Sequence, residues 1–165
     1  IWVYSELGHG TTFKVYLPRA TQTREESVVE VTPAPQGGTE TILLAEDQPE
    51  VGAVTSAMLT RRGYTVLAAS GGAEALRVAR EYRQPIHLLL TDVVMPSMSG
   101  RELFAQLHAL RPEVRVLYAS GYTDNAVVLH GVLEQGLAFI QKPFTPQRLL
   151  TEVRGVLDAP VPAPA

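Results

Sequence analysis

Five short, almost continuously apolar runs recur between residues 41 and 157: TILLAE (41–46), YTVLAA (64–69), IHLLLTD (86–92), VRVLYAS (114–120) and LAFIQ (137–141). A run that is apolar at nearly every position, rather than at every second one, reads as a strand covered on both faces. The stretches between them repeat apolar residues at helical spacing: Val51, Val54, Met58 and Leu59; Ala75, Leu76 and Ala79; Leu103, Leu107 and Leu110; Leu149, Leu150, Val153, Val156 and Leu157. Such stripes predict helices lying on a sheet, with Gly63, Pro85 and Pro112 where the first three should stop. Segment 125–135, NAVVLHGVLEQ, is the weakest of these helices, because its valines and Gly131 disfavour the conformation. Strand and helix alternating in this way predict an α/β fold around a parallel sheet.

Outside that block the pattern changes. IWVYSE and TTFKVYLP are β-like runs joined by LGHG, a predicted hairpin in which Phe13, Val15 and Leu17 share one face. Residues 20–40, ATQTREESVVEVTPAPQGGTE, are polar and broken by Pro33, Pro35, Gly37 and Gly38, which reads as a linker. The final APVPAPA has little to bury and reads as a disordered tail. The chain opens at Ile1, without an initiator Met and in what reads as mid-strand, as a fragment of a longer protein would.

Composition narrows the classes of function. With 165 residues, 45% of them hydrophobic, one domain with a real core is expected. A net charge of -3 provides no basic stripe for a phosphodiester backbone, so direct nucleic-acid binding has little support. The absence of cysteine excludes disulfides, thiolate metal sites and cysteine nucleophiles. There is no run of 18 apolar residues and no signal-peptide pattern at the N-terminus, so a cytoplasmic location without membrane contact is expected.

In an open parallel sheet all strands present their carboxyl ends at one edge, where ligands bind. The first predicted strand of the block ends in Glu46-Asp47, the third in Asp92, the fourth in Ser120, and the fifth runs into Lys142-Pro143. Each has a plain structural explanation: Asp47 as a cap ahead of Pro49, Asp92 as a turn residue, Ser120 as a loop hydroxyl, Lys142 as a surface lysine. Met95 reads as a core plug and Gly100 as the start of a helix. Their common edge changes the odds, since three acids together repel unless a cation sits among them. Lys142 and a divalent ion are the candidates, and a carboxylate site without His or Cys suits Mg²⁺. Such a metal serves phosphoryl chemistry, with Asp92 as a nucleophile able to form an acyl phosphate.

The motifs LLAEDQPEVG, LLLTDVVMPSMSG, VLYASGY and FIQKPF, in this order across residues 41–157, resemble the receiver domains of two-component response regulators. The resemblance implies a flavodoxin-like (βα)5 doubly wound parallel sheet of strand order 2-1-3-4-5. It implies that Asp92 takes phosphate from a phosphohistidine, that Glu46, Asp47, Asp92 and the Val94 carbonyl hold Mg²⁺, and that Lys142 contacts the phosphoryl group. The bond into Pro143 is typically cis in that family. It also implies a switch in which the Ser120 hydroxyl reaches the new phosphate, loop 120–124 moves inward and Phe139 turns into the vacated space. Many members carry Thr and Tyr at these two positions, and Phe cannot make the outer hydrogen bond.

The leading SELGHGTTFKVYLP resembles the last glycine-rich box and closing strand of a histidine-kinase ATP-binding domain, where glycines such as Gly8 and Gly10 approach the nucleotide. The remainder of that domain is missing from this sequence, so a structural hairpin without its own ATP site is expected. The implied organisation is kinase remnant (1–18), linker (19–40), receiver (41–157) and tail (158–165), the order of a hybrid sensor histidine kinase. None of His9, His87, His108 and His130 has the neighbours of a phosphodonor, so the donor is expected on another domain or chain, a histidine kinase or a histidine phosphotransfer protein. The alternative is a receiver that binds partners through residues 121–141 without phosphorylation. A dehalogenase-type phosphatase would need a second Asp where Val94 stands, and an FMN site is disfavoured by the acidic first loop.

Overall fold

The computed structural model describes residues 1–16, 37–121 and 137–159, which belong to two compact units, Ile1–Thr32 and Pro33–Ala165. In the first unit β1 (Trp2–Glu6) pairs antiparallel with β2 (Gly10–Lys14), from Trp2 opposite Lys14 to Glu6 opposite Gly10. The join is shorter than the predicted LGHG, since Gly10 is already paired and only Leu7–His9 turn. His9 N–H donates to Glu6 O at 3.0 Å, and Gly8 has φ +82°, the left-handed value that the third position of a type II turn requires. Val3 faces Phe13 on one side, while on the other Trp2 stacks on Tyr4 at 6.0 Å with Lys14 Nζ 5.2 Å from the Trp2 ring. Leu17, expected on the Phe13 face, lies outside the described residues.

In the second unit the order is β3 (Thr41–Ala45), α1 (Pro49–Thr60), β4 (Thr65–Ala69), α2 (Gly72–Glu81), β5 (Leu88–Asp92), α3 (Gly100–Leu110), β6 (Arg115–Ser120), β7 (Phe139–Gln141) and α4 (Pro146–Asp158). The strands form one parallel sheet, β4-β3-β5-β6-β7, which is the predicted 2-1-3-4-5 when counted from β3. Successive residues of each central strand point to opposite faces, and both faces are apolar. Leu43 and Leu89 pack with Leu76, Leu103 and Leu107 of α2 and α3. Ile42, Leu44, Leu88 and Leu90 pack with Leu59 of α1 and Leu149, Leu150 and Val153 of α4.

Three expectations are corrected. His87 precedes β5 rather than lying in it, and its Nδ1 accepts a hydrogen bond from Thr41 N–H at 2.9 Å. In α1 the residues turned inward are Thr55 and Leu59, while Val54 is 54% exposed. Gly52, Thr55 and Leu59 share the face turned toward the end of β3, where a Cβ on Gly52 would stand in ordinary contact, 3.4 Å from Glu46 Cγ. Leu110, expected in the buried stripe of α3, is half-exposed; the buried positions of that helix end at Leu107. The helix expected over 125–135, and with it His130, lies outside the described residues.

Candidate functional site

The strand register brings the polar residues to one edge. Asp92, the last residue of β5, lies opposite Ala119 of β6, and Ser120 lies opposite Gln141 of β7. Glu46 and Asp47 follow β3 directly, and Lys142 follows β7. Helix α1 starts from Gln48 with Pro49 in its first turn and no side-chain cap, so Asp47 is not used as the cap.

Two ion pairs centre the site. Lys142 Nζ lies 2.5 Å from Glu46 Oε2 and 2.6 Å from Asp92 Oδ1. Glu46 is nearly buried, with its side chain 4% exposed, against 13% for Asp92 and 20% for Lys142. The lysine is held at both ends of its loop: Lys142 N–H donates to Ser120 O at 2.7 Å, and the Lys142-Pro143 peptide is cis.

Charge states follow from this packing. Burial pushes the Asp92 carboxyl up, Lys142 pulls it down and Glu46 pushes it up again, and the outcome is a pKa raised to about 6. For Lys142 burial acts downward, but Asp92 and Glu46 on either side outweigh it and hold the ammonium above its ordinary value. The lysine is therefore a fixed positive charge.

The donor set suits a hard divalent cation. Glu46, Asp47 and Asp92 each bring one carboxylate oxygen to within 4.8 Å of the others. Asp92 Oδ1 is buried and paired with the Lys142 ammonium at 2.6 Å, the same ammonium that pairs with Glu46. An all-oxygen set of three carboxylates, with a single lysine to offset their charge, fits Mg²⁺. Val94, two residues on, has its side chain exposed, and the residue between is fixed from both sides: Val93 N–H donates to Ala119 O and Val93 O accepts from Gly100 N–H.

Ser120 is 1% exposed, and its hydroxyl donates to Gly121 O at 3.4 Å. Phe139 is half-buried against the same apolar layer as Tyr118, its neighbour across the ladder. Loop residues 122–124 lie outside the described residues. Met95 is buried, as a core plug should be, and Thr91 Oγ1 reaches its sulfur at 3.8 Å. Gly8 and Gly10 belong to the hairpin unit, which is separate from these residues.

Gly100 proves to be more than the start of a helix. A Cβ there would stand 2.1 Å from Asp92 O and 3.0 Å from Thr91 Cγ2, so α3 reaches the backbone of Asp92 only because residue 100 has no side chain. One signal of this is visible in the sequence, a glycine eight residues after the aspartate. On the α1 side, the exposed Val54, with Val51, Met58 and Phe144, lines an apolar groove that runs up to Lys142.

Over residues 42–154 the sequence matches the family described as the response regulator receiver domain. It is 33% identical over 168 residues to the sensor kinase CckA of Brucella abortus, an alignment that covers 96% of this chain and 18% of that protein. Identity is 31% to the response regulator receiver protein CpdR of the same organism, across 72% of this chain and 97% of that one. Among solved structures, the receiver domain of the hybrid histidine kinase CckA superposes with a TM-score of 0.59 at 32% identity, covering 71% of this chain and 98% of that one. A CheY-like receiver domain protein from Methanospirillum hungatei JF-1 gives 0.64 at 30%, covering 73% and 95%. The chain spans only 18% of CckA and 27% of the Escherichia coli transcriptional regulatory protein GlrR.

Proposed function

This chain belongs to the response regulator receiver family, and from that premise we propose that it accepts a phosphoryl group from a phosphohistidine onto Asp92 in a two-component phosphorelay. The observation that carries the reading is the convergence of Glu46, Asp47 and Asp92 at the carboxyl edge of the sheet, with Lys142 Nζ paired to the buried Asp92 Oδ1. Glu46, Asp47, Asp92 and the Val94 carbonyl would hold Mg²⁺, which supplies charge compensation for phosphoryl oxygens. An Asp92 oxygen attacks phosphorus, the P–N bond to the donor imidazole breaks, and the imidazole takes the bonding pair and then a proton. The fixed charge of Lys142 offsets the repulsion between carboxylate and incoming phosphate. Attack of water on phosphorus later cleaves the acyl phosphate and restores the carboxylate.

Signalling would follow from the same atoms. The Ser120 hydroxyl, bonded only loosely to Gly121 O, turns to donate to the new phosphate, and Phe139 moves toward the space this leaves. The donor is a histidine kinase domain or a histidine phosphotransfer protein. The chain's place in a hybrid sensor histidine kinase, with residues 1–18 as the end of the ATP-binding domain, 19–40 as linker and 158–165 as tail, is supported by the alignment with CckA, which extends over 96% of the chain. No helix among the described residues is long and apolar enough to cross a membrane, in keeping with a cytoplasmic piece.

Intact mass after incubation with acetyl phosphate and Mg²⁺ tests this. One added phosphoryl group is expected, absent in Asp92→Asn and after EDTA. No gain from acetyl phosphate or from a phosphohistidine protein would overturn the reading in favour of a binding module that works without phosphate.

A further inference from the structure

Residues 37–40 read as the end of a linker, yet they are built into the second unit at the edge opposite Asp92. Gly38 N–H donates to Arg62 O at 3.1 Å, and Glu40 O accepts from Thr65 N–H at 3.1 Å, so the strap is bonded to the turn between α1 and β4 and to the start of β4. The approach is close enough to require glycine. A Cβ on Gly37 would lie 1.9 Å from Arg62 O, and one on Gly63, itself at φ +96°, would lie 2.7 Å from Gly38 O. A Cβ on Gly38 would meet the Tyr64 ring at 2.6 Å and Arg154 Nη1 at 2.7 Å.

Arg154, near the end of α4, closes the arrangement. Its Nη1 lies 2.6 Å from Glu40 Oε1 and 3.4 Å from the buried Tyr64 hydroxyl, and its Nη2 pairs with Asp158. Burial opposes an ionised Glu40, but the guanidinium outweighs it and holds the carboxyl below its usual range. One side chain thus ties the residue just before β3 to the last turn of α4.

We infer that Gly37–Glu40 form an anchoring strap, latched by Arg154, that fixes where the preceding chain meets this domain. The tether is held at the amino edge of the parallel sheet, so the strap itself does not reach the carboxyl edge with Asp92 and Lys142. Without the latch the first fixed point moves up to β3, and the tether gains several residues of slack.

Amide hydrogen exchange of the full chain, read at Gly38 and Thr65, tests the strap independently of phosphorylation. Gly38 is expected to exchange at least about tenfold more slowly than in an unstructured peptide. Arg154→Met and Glu40→Gln should each remove most of that protection while Leu89 and Leu117 amides keep theirs, and Glu40→Arg with Arg154→Glu should restore it. Glu40→Gln keeps the shape of the site, so it decides the question if Arg154→Met fails to fold. Peptide-like exchange at Gly38 in the parent chain, or unchanged protection in Glu40→Gln, would overturn the inference.

Discussion

Asp92 bears the cost of assembling the site. Its pKa is raised to about 6, so between about pH 4 and 6 the native state binds more protons than the unfolded chain, and stability falls as pH rises through that window. At neutral pH the full penalty applies, about 3 kcal/mol at most for a shift of this size. Asp92→Asn should therefore be more stable than the parent in EDTA at pH 7.5, by about 1–3 kcal/mol in urea melts, and the difference should shrink as pH is lowered to 4. Gly100 makes the complementary point. Alanine is favoured over glycine inside a helix by about 1 kcal/mol, but a Cβ 2.1 Å from Asp92 O must push α3 off β5. We expect Gly100→Ala to lose about 1–3 kcal/mol on denaturation and to take up phosphoryl groups more slowly in the mass assay, because Asp92 moves with its backbone.

At the scale of elements, two arginines finish helices that lack caps of their own. Arg111 donates to the carbonyls of Ala79, Tyr82 and Gln84 around the end of α2. Arg115, at the start of β6, donates to Val156 O at 2.5 Å and to Leu157 O in the last turn of α4. Both put positive charge on otherwise orphaned carbonyls at a helix C-terminus. Arg115→Met, which keeps the stem and removes the donors, should cost about 1–2 kcal/mol and speed amide exchange in the last turn of α4 relative to α2. Neither contact is legible in the sequence, since the partners are 27 to 42 residues away. The start of α3 is legible: Ser99 and Glu102 form the capping box expected of S-x-x-E, with Glu102 N–H donating to Ser99 Oγ and Ser99 N–H to Glu102.

For the whole molecule the proposed cation becomes a folding term. A cation bound by the native site and not by the unfolded chain stabilises by mass action. Addition of 10-fold Kd of Mg²⁺ should contribute about 1.4 kcal/mol, read as a rise in Tm that Asp47→Asn abolishes. Asp47 is the variant of choice because it lies outside the Lys142 ion pairs, so its loss leaves the apo site intact. No such term is expected from the β1–β2 hairpin, where the Glu6 carboxylate accepts from Tyr4 OH.

By itself the sequence determined what short-range physics controls: strands from unbroken apolar runs, helices from three-and-four spacing, the turn at Gly8, and the edge at which Glu46, Asp47, Asp92, Ser120 and Lys142 end their strands. A parallel sheet with right-handed crossovers leaves those ends no other place to go. Only the tertiary structure decided which face of α1 is inside, since Val54 is as apolar as any core residue and yet lines an exposed groove, while Thr55, on the face shared with Leu59, is buried. It alone placed Lys142 between Glu46 and Asp92, 96 residues from the first of them, and brought Arg154 to Glu40. The first depends on how β7 pairs with β6 and the second on how α4 docks across the sheet, and no local pattern of residues encodes either distance.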